Sequence, residues 1–221
     1  MTLHTVRMKG RDEPIPVGKI VCMGRNYVAH IEELNNERPD APMFFIKPAT
    51  ALAPIERVRL PAYSEQARHE LELAVILDTP LSRCAEADVF PAIAGYAAAI
   101  DVTLQDVQER CKAKGHPWEI AKAFDGACPC SDFVPAADVT RPEDLRLTMR
   151  VNGETRHDDS TKLMIWSIPE LVAAASQYFT LEPGDIVLTG TPAGVGPLAP
   201  GDRYEIDVQH VGRFSGEVVR D

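Results

Sequence analysis

His69-Glu70-Leu71-Glu72-Leu73-Ala74-Val75-Ile76-Leu77 is an apolar run with two carboxylates near its start, and its reading decides the fold. Alternate side chains of a strand share a face, so an extended run sets Glu70 beside Glu72 and turns Leu71, Leu73, Val75 and Leu77 to the other side. Two carboxylates this close need a cation or a shared proton if they are buried. A divalent metal is one explanation. The other is the wet face of an edge strand, where both glutamates are solvated.

The chain has 221 residues and is 45% hydrophobic, enough for a substantial core. A net charge of −10 with no basic run argues against nucleic acid and anionic membranes as partners and leaves a small-molecule substrate. No stretch approaches the roughly 20 apolar residues of a membrane span, and the N-terminus lacks an apolar leader, so a cytoplasmic protein is expected. Five cysteines, an odd number, fit a reducing compartment. The pair Cys128-Pro129-Cys130 lacks the second half of a zinc site and reads as packing.

Residues 1–18 read as a leader with turns at Pro14, Pro16 and Gly18, packed on a single domain of residues 19–221. Lys19 to Met23 is a buried strand ending at Gly24. Asn26 is placed to cap a short helix, on which His30 and Glu33 share a face. That pair is either a surface contact or a functional dyad. The stretch from Tyr27 to Pro42 has a short helix and few apolar groups, so it is expected to order over a ligand.

Met43 to Pro48 and Ala92 to Ile100 read as strands that end in Lys47 and Asp101. Thr103-Leu104-Gln105-Asp106 has the form of a capping box for a helix to about Lys114. An acid before a helix is favoured by the dipole, which gives Asp101 a structural alternative. Lys122 sits among small apolar residues, where a lysine is either snorkelling or functional. Leu145, Leu147, Met149 and Val151 alternate into the hairpin turn Asn152-Gly153. Ser167-Ile168-Pro169-Glu170 opens a helix through about Phe179. Gly190 to Gly196 is glycine-rich but is followed by no Lys-Ser, Lys-Thr or helix, so a tight loop near a small ligand fits better than a phosphate loop.

Taken in order, these motifs resemble the single-domain branch of the fumarylacetoacetate hydrolase family, which includes acylpyruvate and fumarylpyruvate hydrolases and oxaloacetate decarboxylases. The resemblance runs from about Lys19 to the C-terminus. It rests on Gly24-Arg25-Asn26-Tyr27 with His30 and Glu33, Phe45-Ile46-Lys47-Pro48, His69-Glu70-Leu71-Glu72-Leu73, Gly95-Tyr96 through Asp101-Val102-Thr103, Ala121-Lys122-Ala123-Phe124-Asp125, and Leu188-Thr189-Gly190-Thr191-Pro192 with Gly194-Val195-Gly196.

The resemblance implies an α+β fold, a mixed β-sandwich or β-roll with short peripheral helices, and a homodimer. It implies Mg²⁺ or Mn²⁺ on Glu70, Glu72 and Asp101, a catalytic set of His30, Glu33 and Lys122, and substrate contacts from Arg25, Lys47, Gln108 and Thr191. Gln105 stands where relatives often carry Arg, and Ala123 where some carry Ser, which bears on substrate choice. The activity implied is hydrolysis of the C–C bond of acylpyruvates, 2,4-dioxo acids such as fumarylpyruvate or acetylpyruvate. The alternative is oxaloacetate decarboxylation or tautomerisation, or isomerisation of an unsaturated oxo-diacid in aromatic catabolism. A binding module with a merely structural metal is a further alternative, but it has no use for His30 and Glu33 beside an open coordination site.

Overall fold

The Leu71–Leu77 strand is buried along its whole length because it lies inside the larger sheet of the molecule. The computed structural model describes residues 4–33 and 37–220. Within them the strand pairs antiparallel with Ile93–Ile100 on one side and with Ile186–Leu188 on the other. Lys19–Gly24 then adds in parallel to Ile186–Leu188, and Met43–Pro48 forms that edge. At the opposite end come Cys128–Cys130 and Leu52–Pro54. The wet-edge reading of the two glutamates is thereby excluded.

A strand buried on both faces needs two cores. Leu71, Leu73, Val75 and Leu77 pack with Leu147, Met149, Tyr204 and Ile206 of a five-stranded sheet and with Leu171 and Val172 of the Ile168–Ser176 helix. Ala74 and Ile76 face a second core with Ile20, Cys22 and Phe133, closed by Val6, Ile15 and Val17. Those last side chains come from the leader, where Thr5–Val6 and Ile15–Pro16 form a two-stranded sheet. The result is an α+β fold of mixed sheets with short helices, as the resemblance implies. No described helix is long and apolar enough to cross a membrane, and all the cysteines are free.

Local signals explain much of this. Asn152 and Gly153 take φ of 51° and 83°, the left-handed turn that joins Arg146–Val151 to Glu154–Ser160. Ser167 caps its helix through a reciprocal box with Glu170, although the helix stops at Ser176 rather than Phe179 as its last turn tightens. The similar box at Thr103 does not form. Thr103–Leu104 is a short strand paired with Ala67–His69, and the helix Gln105–Ala113 starts without a side-chain cap. Nor is a capping hydrogen bond from Asn26 to the Val28–Glu33 helix found among the described residues. The Asn26 amide donates to the carbonyls of Trp166 at 3.0 Å and Thr189 at 2.8 Å, and its oxygen accepts from Trp166 N at 2.8 Å. It ties the His30 segment to two distant loops. Of the stretch expected to order over a ligand, residues 34–36 lie outside the described residues.

Candidate active site

Antiparallel pairing of Leu71 with Ile100 sets Glu70 opposite Asp101, and Asp101 N donates to Glu70 O at 2.8 Å. Glu72 follows on the same strand. Carboxylate oxygens of Glu70, Glu72 and Asp101 lie within 4.8 Å of one another. Thr103, free of any capping role, donates its hydroxyl to Glu70 Oε1 at 2.7 Å.

Two buried lysines enter this cluster. Lys122 Nζ is 2.8 Å from Glu70 Oε2 and 2.7 Å from Asp101 Oδ2. Lys47, wholly buried, places Nζ 2.8 Å from Asp101 Oδ1 and donates to the carbonyls of Lys122 and Ala127. The Lys47–Asp101 contact is an ion pair whose angles are not those of a hydrogen bond, so Asp101 Oδ1 has no hydrogen-bond partner. Both ammoniums stand over the Phe45 ring, at 5.2 Å for Lys122 and 5.9 Å for Lys47.

The carboxylates outnumber the lysines, and Glu72 takes the consequence. Its Oε2 accepts from Gly190 N at 2.6 Å, and among the described residues no cation pairs with it. Burial, then Asp101 and Glu70, push its carboxyl well above the usual range. Burial also acts upward on Glu70, but Lys122 outweighs it and holds that carboxyl at about 2. Burial alone would lower the Lys122 ammonium; Asp101 and Glu70 raise it instead. A surplus of buried negative charge, all on oxygen donors, with one oxygen that accepts no hydrogen bond, is the donor set of a hard divalent cation. These residues fit Mg²⁺ or Mn²⁺.

His30 and Glu33 lie on the Val28–Glu33 helix, with His30 Nδ1 3.6 Å from Glu33 Oε2. That is ion-pair distance, and His30 Nδ1 makes no hydrogen bond among the described residues. Glu33 also accepts from Gly194 N at 3.1 and 3.3 Å. One loop therefore grips both groups, the dyad through Gly194 and the carboxylate cluster through Gly190. Gly190, at φ 93°, admits no side chain: a Cβ there would stand 2.7 Å from the Cβ of Asn26.

The other expected residues divide. Thr191 is buried with an unpartnered hydroxyl. Arg25, at a left-handed φ of 59°, bonds Glu37 O at 3.4 Å. Gln108 is half-buried and accepts from Lys112 at 3.1 Å; no hydrogen bond to the carboxylates is found for it among the described residues. Gln105 is taken up by Arg68 and Glu109. Sequence reasoning missed Tyr27, whose buried hydroxyl has no partner and is held protonated by burial, and it gave no role to His69 and His157, both wholly buried.

Those histidines carry a stability prediction. Burial lowers His69 to about 3 and His157 to about 4, from an ordinary value of 6.5. Because both are depressed in the folded state, the unfolded chain binds more protons below pH 6.5, and stability falls as pH drops from 6.5 towards 4. Melting curves across that range should slope less for His157→Gln than for the wild type, since carboxylate effects common to both cancel. Parallel slopes would refute it.

Comparison with known proteins places this geometry. The family described as Fumarylacetoacetate (FAA) hydrolase C-terminal matches residues 19–219. The chain is 48% identical over 193 residues to an oxaloacetate tautomerase of Escherichia coli (strain K12), covering 86% of this chain and 88% of that one. It is 45% identical over 193 residues to the mitochondrial oxaloacetate tautomerase of Bos taurus, covering 87% of each. The crystal structure of fumarylpyruvate hydrolase from Pseudomonas aeruginosa in complex with Mn²⁺ and pyruvate superposes with a TM-score of 0.94 at 33% identity, over 100% of this chain and 98% of that one.

Proposed function

Because the chain belongs to the fumarylacetoacetate hydrolase family, we propose that it is a Mg²⁺- or Mn²⁺-dependent tautomerase of oxaloacetate, moving a proton between C3 and the 2-oxo oxygen. The observation that carries this reading is the single loop that holds an acid–base dyad against a carboxylate–lysine cluster. Glu70, Glu72 and Asp101 would hold the cation. When bound, it supplies positive charge that lowers the cost of negative charge on the 2-oxo oxygen.

The chain's own groups do the rest. His30 takes the C3 proton and returns it to oxygen, and Glu33 supports the imidazolium in between. Lys122, an ammonium fixed in a buried site, faces the oxygen that gains charge. Lys47 holds Asp101 in place. Thr191, with its unpartnered hydroxyl, and Arg25 and Gln108 orient the substrate carboxylates.

Hydrolysis of acylpyruvates is the second reading. It is favoured by the likeness to the Pseudomonas aeruginosa enzyme and uses the dyad to activate water. The names of the relatives at higher identity favour tautomerisation over it. The test is side-by-side kinetics of the purified, Mg²⁺-loaded protein: enol–keto interconversion and decarboxylation of oxaloacetate, and cleavage of fumarylpyruvate and acetylpyruvate. Tautomerisation is expected to have the highest kcat/KM. Faster acylpyruvate cleavage would transfer the assignment to hydrolysis.

A further inference from the structure

The machinery above leaves His69 and His157 unused, and their hydrogen bonds run towards it. His157 Nδ1 is 2.8 Å from Ala193 O. A carbonyl only accepts, so Nδ1 carries the proton. In the neutral ring Nε2 then has a lone pair, and it lies 3.0 Å from His69 Nδ1, which must donate. The rings meet edge to face, with centroids 5.1 Å apart at 78°. His69 Nε2 is left buried without a partner.

Ala193 O belongs to the peptide unit whose nitrogen is Gly194 N. This peptide bond is trans, so that N–H points away from the carbonyl, and it is the one that donates to Glu33. His157 therefore holds one edge of a peptide whose other edge holds the dyad. The loop lies flat on its support, because Gly194 has φ of 104° and a Cβ there would fall 1.8 Å from Arg156 O. Hydrogen bonds in series polarise one another, so an engaged Ala193 carbonyl makes Gly194 a better donor.

We infer that His157, steadied by His69, is a positioning residue for the reaction: it fixes the Ala193–Gly194 peptide so that Glu33 stays aimed at His30. Glu33 needs such a fixture, since its side chain is 36% exposed and Gly194 N is its only backbone donor among the described residues. The inference rests on the acid–base reading of His30 and Glu33.

His157→Gln preserves both links, because an amide N–H can reach Ala193 O and its oxygen can accept from His69. His157→Leu removes both. The Leu variant is expected to lose about tenfold in kcat, the lower range for groups behind a catalytic shell, with KM and Mg²⁺ affinity unchanged. The Gln variant should retain kcat. If the Leu variant does not fold, His157→Asn, whose shorter amide reaches one partner only, takes its place.

Wild-type kcat in the Leu variant, or equal losses in Gln and Leu, would overturn the inference, as would a parallel loss of Mg²⁺ affinity. A second arm is independent of turnover. Imidazole ¹⁵N shifts of the wild type at pH 7 should show both rings neutral and protonated on Nδ1, and Gly194 N–H exchange should be slow in wild type and Gln but fast in Leu. A proton on His157 Nε2 alone would overturn the inference, even if no 2-oxo acid tested were a substrate. Absence of turnover with the expected shifts and exchange would instead overturn only the proposed activity.

Discussion

Stripped of divalent cations, the protein should lose turnover of 2-oxo acids altogether and recover it with Mg²⁺ or Mn²⁺. The buried charge of the site drives this expectation. Glu70 and Asp101 have Lys122 and Lys47 against them, while Glu72 has a backbone N–H and, among the described residues, no paired cation. Glu72→Gln should abolish metal binding yet leave the metal-free fold at least as stable at pH 7. The sign follows from its raised carboxyl: in the metal-free protein the folded state binds the extra proton, so stability drops as pH rises above the ordinary 4.5, and a neutral amide removes that cost. Metal analysis, turnover and melting curves in chelator check all three. Undiminished turnover after exhaustive chelation would sink the metal reading, and a large loss of metal-free stability in Glu72→Gln would sink the charge account.

The fold was legible wherever local pattern and tertiary context agree. Alternation of Leu145, Leu147, Met149 and Val151 with Asn152-Gly153 after it gave a hairpin, and the box at Ser167 gave a capped helix. Thr103 carries nearly the same signature and does not cap, because strand pairing with Arg68 and a bond to Glu70 compete for it. Asn26 failed as a cap for the same reason: its partners, Trp166 and Thr189, lie far along the chain, and spacing cannot report them. The site divides along the same line. Glu70 and Glu72 stand out because like charges two apart in an apolar strand need compensation, and Asp101 because it ends the neighbouring strand. Lys47 ends a strand, and its spacing does not report the burial against Asp101. His157 gave no signal at all. It is a single histidine in a polar strand, and what it does is set by His69 and Ala193, neither of them near it in sequence.

Removing the dyad separates the reactions that share this site. His30→Ala and Glu33→Gln should each lower proton transfer to and from C3 of oxaloacetate by about 10² to 10⁴-fold, the range of a general base, and lower acylpyruvate cleavage similarly, since activating water needs the same base. Glu33→Gln is the sharper variant. An amide oxygen at that position can still accept from Gly194 N, which keeps the loop in place while removing the charge that supports the imidazolium. Metal content should not change, because Glu70, Glu72 and Asp101 are untouched. Decarboxylation of oxaloacetate needs neither a C3 proton removed nor water activated, so it should survive both changes far better. Rates for the three reactions, on each variant with metal content measured, decide between outcomes. Equal loss of all three would mean that the dyad binds substrate or protonates the enolate rather than acting as a base. Unchanged rates throughout would reduce the buried His30 and its partner Glu33 to a structural pair and move the base elsewhere.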